Sequence, residues 1–288
     1  MITPILIRGG GDLASGVALR LHRAGFKILI TELSQPLAVR RTVSFAEAVY
    51  EGEMEIEGVK ARLVRREPPR SGREPAGARR PLGMIQLQAA LDADEIPVLI
   101  DPDVTILTEM KFNVVVDARL TKQAPTPMPV PVPLHIGLGP GFHAGRDCHA
   151  VIETCRGHTL GRVYWDGSAQ LDSGRPEGDL GRVLRAVVDG RLIGYAQIGD
   201  HLEKGTLIAE IQSTTENRKS KIVSPFHGVL RGLIRPGLHV TAGLKIGDVD
   251  PRDDPALCTL VSDKALAVAG GVLEAILSKP EMRKYFDW

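Results

Sequence analysis

Cysteine is scarce in this 288-residue chain, with only Cys148, Cys155 and Cys258 present. Three thiols cannot all pair within one chain, and secreted disulfide scaffolds are denser, so a reducing compartment is expected. An excess of either charge is also missing. Lys and Arg total 36 against 35 Asp and Glu, for a net charge of +1. Such balance gives no support to nucleic-acid or membrane-surface binding. Long hydrophobic runs are absent too. The longest, such as Ile5 to Ile7 and Val114 to Val116, fall far short of a membrane span. The opening Met-Ile-Thr-Pro-Ile-Leu-Ile-Arg lacks the charged flank and apolar core of a signal peptide, so a cytoplasmic location is expected.

What is present is ordinary globular composition, 43% hydrophobic and 25% charged, with enough apolar material for a core. Glycine (31) and proline (20) are in excess, which predicts many turns and a reduced helix content. Ile5-Leu6-Ile7 reads as a buried strand, and a glycine cluster follows it. Leu13, Val17 and Leu21 then recur at helical spacing up to Gly25, a natural helix stop, and Lys27-Ile28-Leu29-Ile30 is the next strand. This is one βαβ unit. Val98-Leu99-Ile100 before Asp101 and Val114-Val115-Val116 before Asp117 read as further buried strands. Together they predict a parallel sheet whose ligand edge lies at the strand C-termini.

Residues 65–81 form a basic, Pro-rich stretch that reads as a solvated loop. Residues 124–133 cannot be helical and read as an extended linker leading out of the first sheet. Near the C-terminus, Gly199-Asp200-His201-Leu202 through Gly205 can be laid over Gly237-Leu238-His239-Val240 through Gly243. A duplicated half-motif of glycine turns and strands is similar to the barrel-sandwich fold of biotinyl and lipoyl carrier domains. The hairpin where a carrier lysine would stand, Ser213-Thr214-Thr215-Glu216-Asn217-Arg218, holds no carrier motif. Ser262 or Asp263 can cap a final helix with Ala265, Ala269, Leu273 and Leu277 on one stripe. The expected fold is therefore α/β. A Rossmann-like parallel-sheet domain (residues 1–165) precedes a barrel-sandwich domain (166–252). A C-terminal helical segment (253–288) returns to the first domain.

Gly9-Gly10-Gly11-Asp12-Leu13-Ala14 contains Gly-x-Gly-x-x-Ala between a strand and a helix. Glycine permits the tight turn and close backbone approach to a pyrophosphate, and the helix N-terminus supplies N–H donors. Glu32 ends the second strand, where an acid would meet a ribose hydroxyl. Against this reading, the glycines also serve a turn, and Asp12 is an anion beside a phosphate site. Gly137, Gly139 and Gly141 flank Pro140 in a second backbone-defined loop. Glu153, Arg156 and His158 form a dense polar run suited to proton transfer or to an acidic ligand, with Cys155 beside two cations as a candidate thiol. The spacing of Cys148, His149, Cys155 and His158 is not a standard zinc pattern, so no metal is expected.

One combination of segments carries a resemblance. It comprises Arg8 through Ala18, Arg20 through Phe26, Thr31-Glu32, Arg40-Arg41, Phe45 through Ala48 and Gly137 through Phe142. Ile152-Glu153-Thr154, Arg156-Gly157-His158, Asp248 through Arg252 and Ser262-Asp263-Lys264 complete it. Over roughly residues 4–278 the chain resembles the YqeB-type family of accessory proteins for selenium-dependent molybdenum hydroxylases, distantly similar to XdhC-type maturation proteins. The resemblance implies a maturation role, a molybdopterin-type or NAD(P) cofactor, and a molybdenum hydroxylase or its maturation machinery as partner, with homo-oligomerisation an open possibility. The expected site takes an anionic small molecule between Gly9, Gly10, Gly11, Asp12 and Glu32 on one wall and Gly137, Gly139, Gly141, Glu153, Arg156 and His158 on the other. The alternatives are an NAD(P)-dependent oxidoreductase and a non-catalytic scaffold docking a hydroxylase. The residues leave open whether any reaction is catalysed.

Overall fold

The computed structural model describes residues 3–66, 83–171, 180–213 and 219–283. Most of the expected basic loop at 65–81 and the hairpin tip at 214–218 lie outside the described residues. The N-terminal unit forms as its pattern dictates. Strand β1 (Ile5–Arg8) leads into helix α1 (Asp12–Arg23), which ends before Gly25 at φ +90° and returns as β2 (Ile28–Glu32). Leu13, Val17 and Leu21 are all buried, as one helix stripe facing a sheet must be.

Strands β3 (Glu53–Ile56), β4 (Val59–Val64), β5 (Ile96–Ile100), β6 (Val114–Asp117) and β7 (Leu134–Leu138) extend this unit, with α2 (Ala48–Glu51) and α3 (Met84–Asp92) between them. After the short β8 (His143–Ala144), β9 (Ala150–Ile152) and β10 (Val163–Tyr164) complete a nine-stranded sheet of order β10-β9-β7-β6-β1-β2-β5-β4-β3. From β9 to β4 neighbours are parallel, and the two edges, β9 with β10 and β3 with β4, are antiparallel. The chain moves outward one way from β1 through β2 and the other way from β6 through β7, so the topological switch lies between β1 and β6. Ligand crevices in such sheets open at the carboxyl ends of the strands on either side of that switch. Gly9 stands there at φ +93°, and a Cβ on it would lie 3.4 Å from the Ala118 carbonyl oxygen.

After β11 (Gly167–Ser168), the strands β12 (Val183–Arg185) through β19 (Lys245–Asp250) form two four-stranded antiparallel sheets, β12-β19-β17-β14 and β16-β15-β13-β18. Here β13 is Gly190–Gly194, β14 His201–Leu202, β15 Leu207–Ser213, β16 Lys219–Val223, β17 Gly228–Leu233 and β18 His239–Val240. Leu192, Ile211, Leu230 and Ile246 share one apolar core between them. The duplicated glycines adopt matched conformations, Gly199 at +103° with Gly237 at +92°, and Gly205 at +87° with Gly243 at +82°.

The expected pairing of a parallel Rossmann-like domain with a biotinyl/lipoyl-like barrel-sandwich is corrected by this architecture. The main sheet is large and mixed because hairpin partners cap both its edges. The later strands make two separate hydrogen-bonded ladders that are not assigned to a carrier fold. The stretch 124–133 does not lead out of the sheet either. It is followed directly by β7, and Met128, Val130 and Val132 pack back on the sheet face that carries Leu6 and Val115. Alternation of half-buried residues between prolines is what an extended chain laid over apolar surface gives.

Helix α4 (Asp263–Leu277) packs on α1, where a Cβ on Gly16 would stand 2.7 Å from that of Ala265. The stretch Pro255–Leu277 is long and apolar enough to match a membrane span by composition. In the fold, Ala265, Val268, Ala269, Val272, Ala275 and Ile276 are buried in the main core, which accounts for the hydrophobicity of this helix.

Candidate functional site

The glycine turn after β1 is held by its own neighbours. Ser15 Oγ donates to the Gly10 carbonyl (3.0 Å) and accepts from the Phe45 N–H (2.8 Å). Ala46 N–H also donates to Gly10, at 2.9 Å. The segment carrying Arg40 through Glu47 is thereby fixed against the turn. Glu32 closes the other side. Its two oxygens accept the N–H groups of Gly10 (2.6 Å) and Leu33 (2.7 Å). Burial raises the pKa of Glu32, and these two N–H donors oppose the shift.

Of the six glycines expected to line a ligand, only Gly11 has open space where a Cβ would be. The others face protein atoms: Gly10 meets Ala46, Gly137 meets Phe142, Gly139 meets Thr154 and Gly141 meets Gln123. Their glycines serve packing. Gly11 is also the N-cap of α1, and no side chain caps that end. The first-turn N–H groups beyond Gly11 therefore have no side-chain cap, at the positive end of the helix dipole.

Cations surround this end. Arg40 is buried, hydrogen-bonds the carbonyls of Leu257 (3.1 Å) and Leu260 (3.0 Å), and stands 3.8 Å from Asp12. Its Nε has no partner, and burial lowers its pKa. Lys245 at the start of β19 makes no ion pair among the described residues. Burial lowers its pKa, and Asp248, Asp12, Arg231 and Arg182 all act on it electrostatically. Asp248 and Asp250, each 1% exposed, are tied to Arg182 and Arg231, and Arg252 bonds Asp250 at 2.6 Å. The Arg252 bonds hold Asp250 well below the usual carboxylate range. Arg40, Arg182, Arg231, Lys245 and Arg252 outnumber Asp12, Asp248 and Asp250, so the cluster keeps a surplus of positive charge beside the α1 N-terminus. Asp12 is compensated by Arg40, which weakens the objection that its charge would repel a phosphate.

The expected catalytic group does not converge. Glu153 is 0% exposed, and its oxygens accept the N–H groups of Cys155 (2.7 Å) and Gln170 (2.8 Å). It organises backbone. Arg156 makes a two-pronged bond to Asp263 at the start of α4 (2.6 and 2.8 Å). His158 is exposed, and Cys155 is half-buried in the loop. These residues occupy the same carboxyl edge as Gly11, since β9 runs parallel to β7, β6 and β1. The Glu153 carboxylate and the Arg156 guanidinium are directed to separate partners. Sequence reasoning missed Arg40 and Lys245 as site residues. Nothing local marks them, although Arg40 and Asp248 through Arg252 stand in the segments that carried the family resemblance.

No family model matches the chain. It is 44% identical over 277 residues to a protein of Escherichia coli (strain K12) described as uncharacterized protein YqeB. The match covers 95% of this chain and 47% of that protein, so the chain spans about half the length of the curated relative. Solved structures with some likeness include the apo ectoine utilization protein EutE (DoeB) of Ruegeria pomeroyi. It has a TM-score of 0.26 and 11% identity over 86% of both chains. An aspartoacylase family protein of Mesorhizobium loti has a TM-score of 0.25 and 7% identity over 86% of this chain and 85% of its own. A succinylglutamate desuccinylase of Silicibacter has a TM-score of 0.25 and 14% identity over 86% and 84%. At these scores they assign neither fold nor activity to the chain.

The maturation reading is corrected on these findings. The relative that matches carries no assigned activity. The alternatives attached to it, the NAD(P)-dependent oxidoreductase and the hydroxylase-docking scaffold, are withdrawn with it.

Proposed function

We propose that the chain binds a small phosphorylated ligand of nucleotide type at the N-terminus of α1. The observation that carries this reading is the uncapped helix end at Gly11, open to solvent and flanked by Arg40 and by Lys245, which has no ion pair among the described residues. A phosphate there would accept the first-turn N–H groups and offset the surplus positive charge. Glu32 at the end of β2 supports a ribose contact in this reading, since each carboxylate oxygen can accept a further hydrogen bond beyond the one it now takes. Three free cysteines, two of them buried, fit a cytoplasmic location for such a protein.

Calorimetric titration with ADP, pyrophosphate and adenosine tests the reading. ADP and pyrophosphate bind, adenosine alone binds weakly, and Lys245→Met weakens both phosphorylated ligands by about tenfold. Equal binding of adenosine and ADP, or affinities that ignore Lys245→Met, would overturn it.

A further inference from the structure

On the sheet face opposite α1, the extended stretch 125–132 leaves a cleft of about 500 Å³ against β7 and the loop before β9. That volume lies within the range of small-molecule sites. Met128, Val130 and Val132 give it an apolar wall. The facing wall holds His135, Cys148 and His149.

The two histidines are locked to each other's backbone. His135 N–H donates to His149 Nδ1 (2.9 Å), and His149 N–H donates to the His135 carbonyl (2.8 Å). The His135 ring Nε2 has no partner although the residue is only 6% exposed, and the Asp147 backbone beside the ring favours its protonated form. A neighbour that favours the protonated form is an acceptor, and with Nε2 unpartnered that assigns the ring proton to Nδ1 and the lone pair to Nε2. Burial pushes this histidine down to about 4, and the ring is neutral at pH 7. Cys148 does not supply the missing donor. Its Sγ bonds the Ala150 carbonyl at 3.2 Å, and burial pushes the thiol up to about 11. Arg146 and Asp147 at the rim neutralise one another at 2.8 Å. The cleft thus offers an apolar wall, no uncompensated charge on these groups, and one deep acceptor. Buried acceptors are rarely left unpaired, because desolvation without a hydrogen bond costs free energy.

We propose that this cleft binds a neutral, largely apolar aromatic molecule whose hydroxyl or N–H donor is accepted by His135 Nε2. It is a second site, on the other face of the sheet from the α1 N-terminus, and does not depend on phosphate binding there.

The probes are 2-naphthol, which has the donor, and 2-methoxynaphthalene, which lacks it, titrated calorimetrically into the intact protein at pH 7. The expected result is a preference of about tenfold for 2-naphthol, the discrimination that an unanswered buried acceptor supplies. Saturation also moves the ¹⁵N resonance of His135 Nε2, and His135→Phe abolishes the preference. Equal affinity for the two probes, binding of neither at millimolar concentration, or an unmoved Nε2 resonance overturns the proposal. So does a preference that persists in folded His135→Phe. The probe comparison and the resonance are read on wild-type protein, so the test survives a variant that does not fold.

Discussion

Asp12, in the first turn of α1, acts electrostatically on Lys245 at the head of β19, 233 positions away in the chain, yet Lys245 forms no ion pair with that carboxylate or any other described one. Asp12 is met instead by Arg40 at 3.8 Å. A cation that is desolvated without a partner weakens the folded state, unless a bound anion completes it. The following expectations start from that imbalance.

Lys245→Met removes a half-buried charge and leaves a side chain of similar length. Because burial lowers the folded-state pKa of Lys245, its charged form opposes folding below its ordinary pKa of 10.5, and the penalty fades as pH rises toward that value. The variant is therefore expected to melt at or above the wild-type temperature at pH 7, by about 1–3 °C, while losing phosphate affinity. Thermal melts with and without 5 mM pyrophosphate, a concentration of about the scale needed for weak binding, check both halves. Destabilisation with unchanged affinity would make Lys245 a packing residue.

Glu32→Gln separates ribose from phosphate recognition. The amide keeps one acceptor for Gly10 or Leu33 and loses the other, at a cost of about 1 kcal/mol in stability. ADP affinity should fall by about three- to tenfold, while pyrophosphate affinity stays within about twofold. Parallel calorimetric titrations give the comparison. An equal loss for both ligands would place Glu32 in holding the turn alone.

Glu153→Ala addresses the residue that looked most catalytic. It removes the acceptor of two part-buried N–H groups, those of Cys155 and Gln170, so the expected loss is about 1–2 kcal/mol of stability by urea denaturation. Glu153→Gln retains one acceptor and should lose about half as much. Neither variant, where folded, should alter ADP affinity beyond about twofold.

His135 sets a pH window. Its folded-state value near 4 lies below the ordinary 6.5, so the unfolded chain binds the proton more readily. Stability is complete above about 6.5 and declines as pH falls toward 4, by up to about 3 kcal/mol. Asp250, held below the usual carboxylate range, adds a further loss only below its ordinary 3.8. Denaturation curves between pH 7 and 4 should therefore show a slope that His135→Phe flattens. A slope unchanged in that variant would assign it to other groups.

Local pattern was enough for the elements that form the carboxyl edge. The glycine cluster, the Leu13-Val17-Leu21 stripe, the stop at Gly25 and the strands ending near Glu32, Asp101 and Asp117 could all be read from neighbouring residues. Helical and strand periodicities are themselves local. The charges that complete the site could not. Arg40, Arg231 and Lys245 come together only when the two later sheets settle against the segment before Phe45, and no spacing in the sequence encodes that. The polar density of Glu153 to His158 misled for the converse reason. Glu153 accepts the backbone N–H groups of Cys155 and Gln170 and Arg156 holds Asp263, and such structural tasks draw on the same side chains as chemistry does. The stretch 124–133 showed its extended form through its prolines, but not the core that its Met and Val residues would find.

The most direct measurement of the central claim is an amide ¹H–¹⁵N titration of the intact protein with pyrophosphate. The account predicts saturable shifts concentrated at Gly11, Asp12, Leu13 and Ala14, together with the Lys245 side chain, and their loss in Lys245→Met. Shifts absent from those four amides, or centred on Arg119 or Arg146 instead, would contradict it.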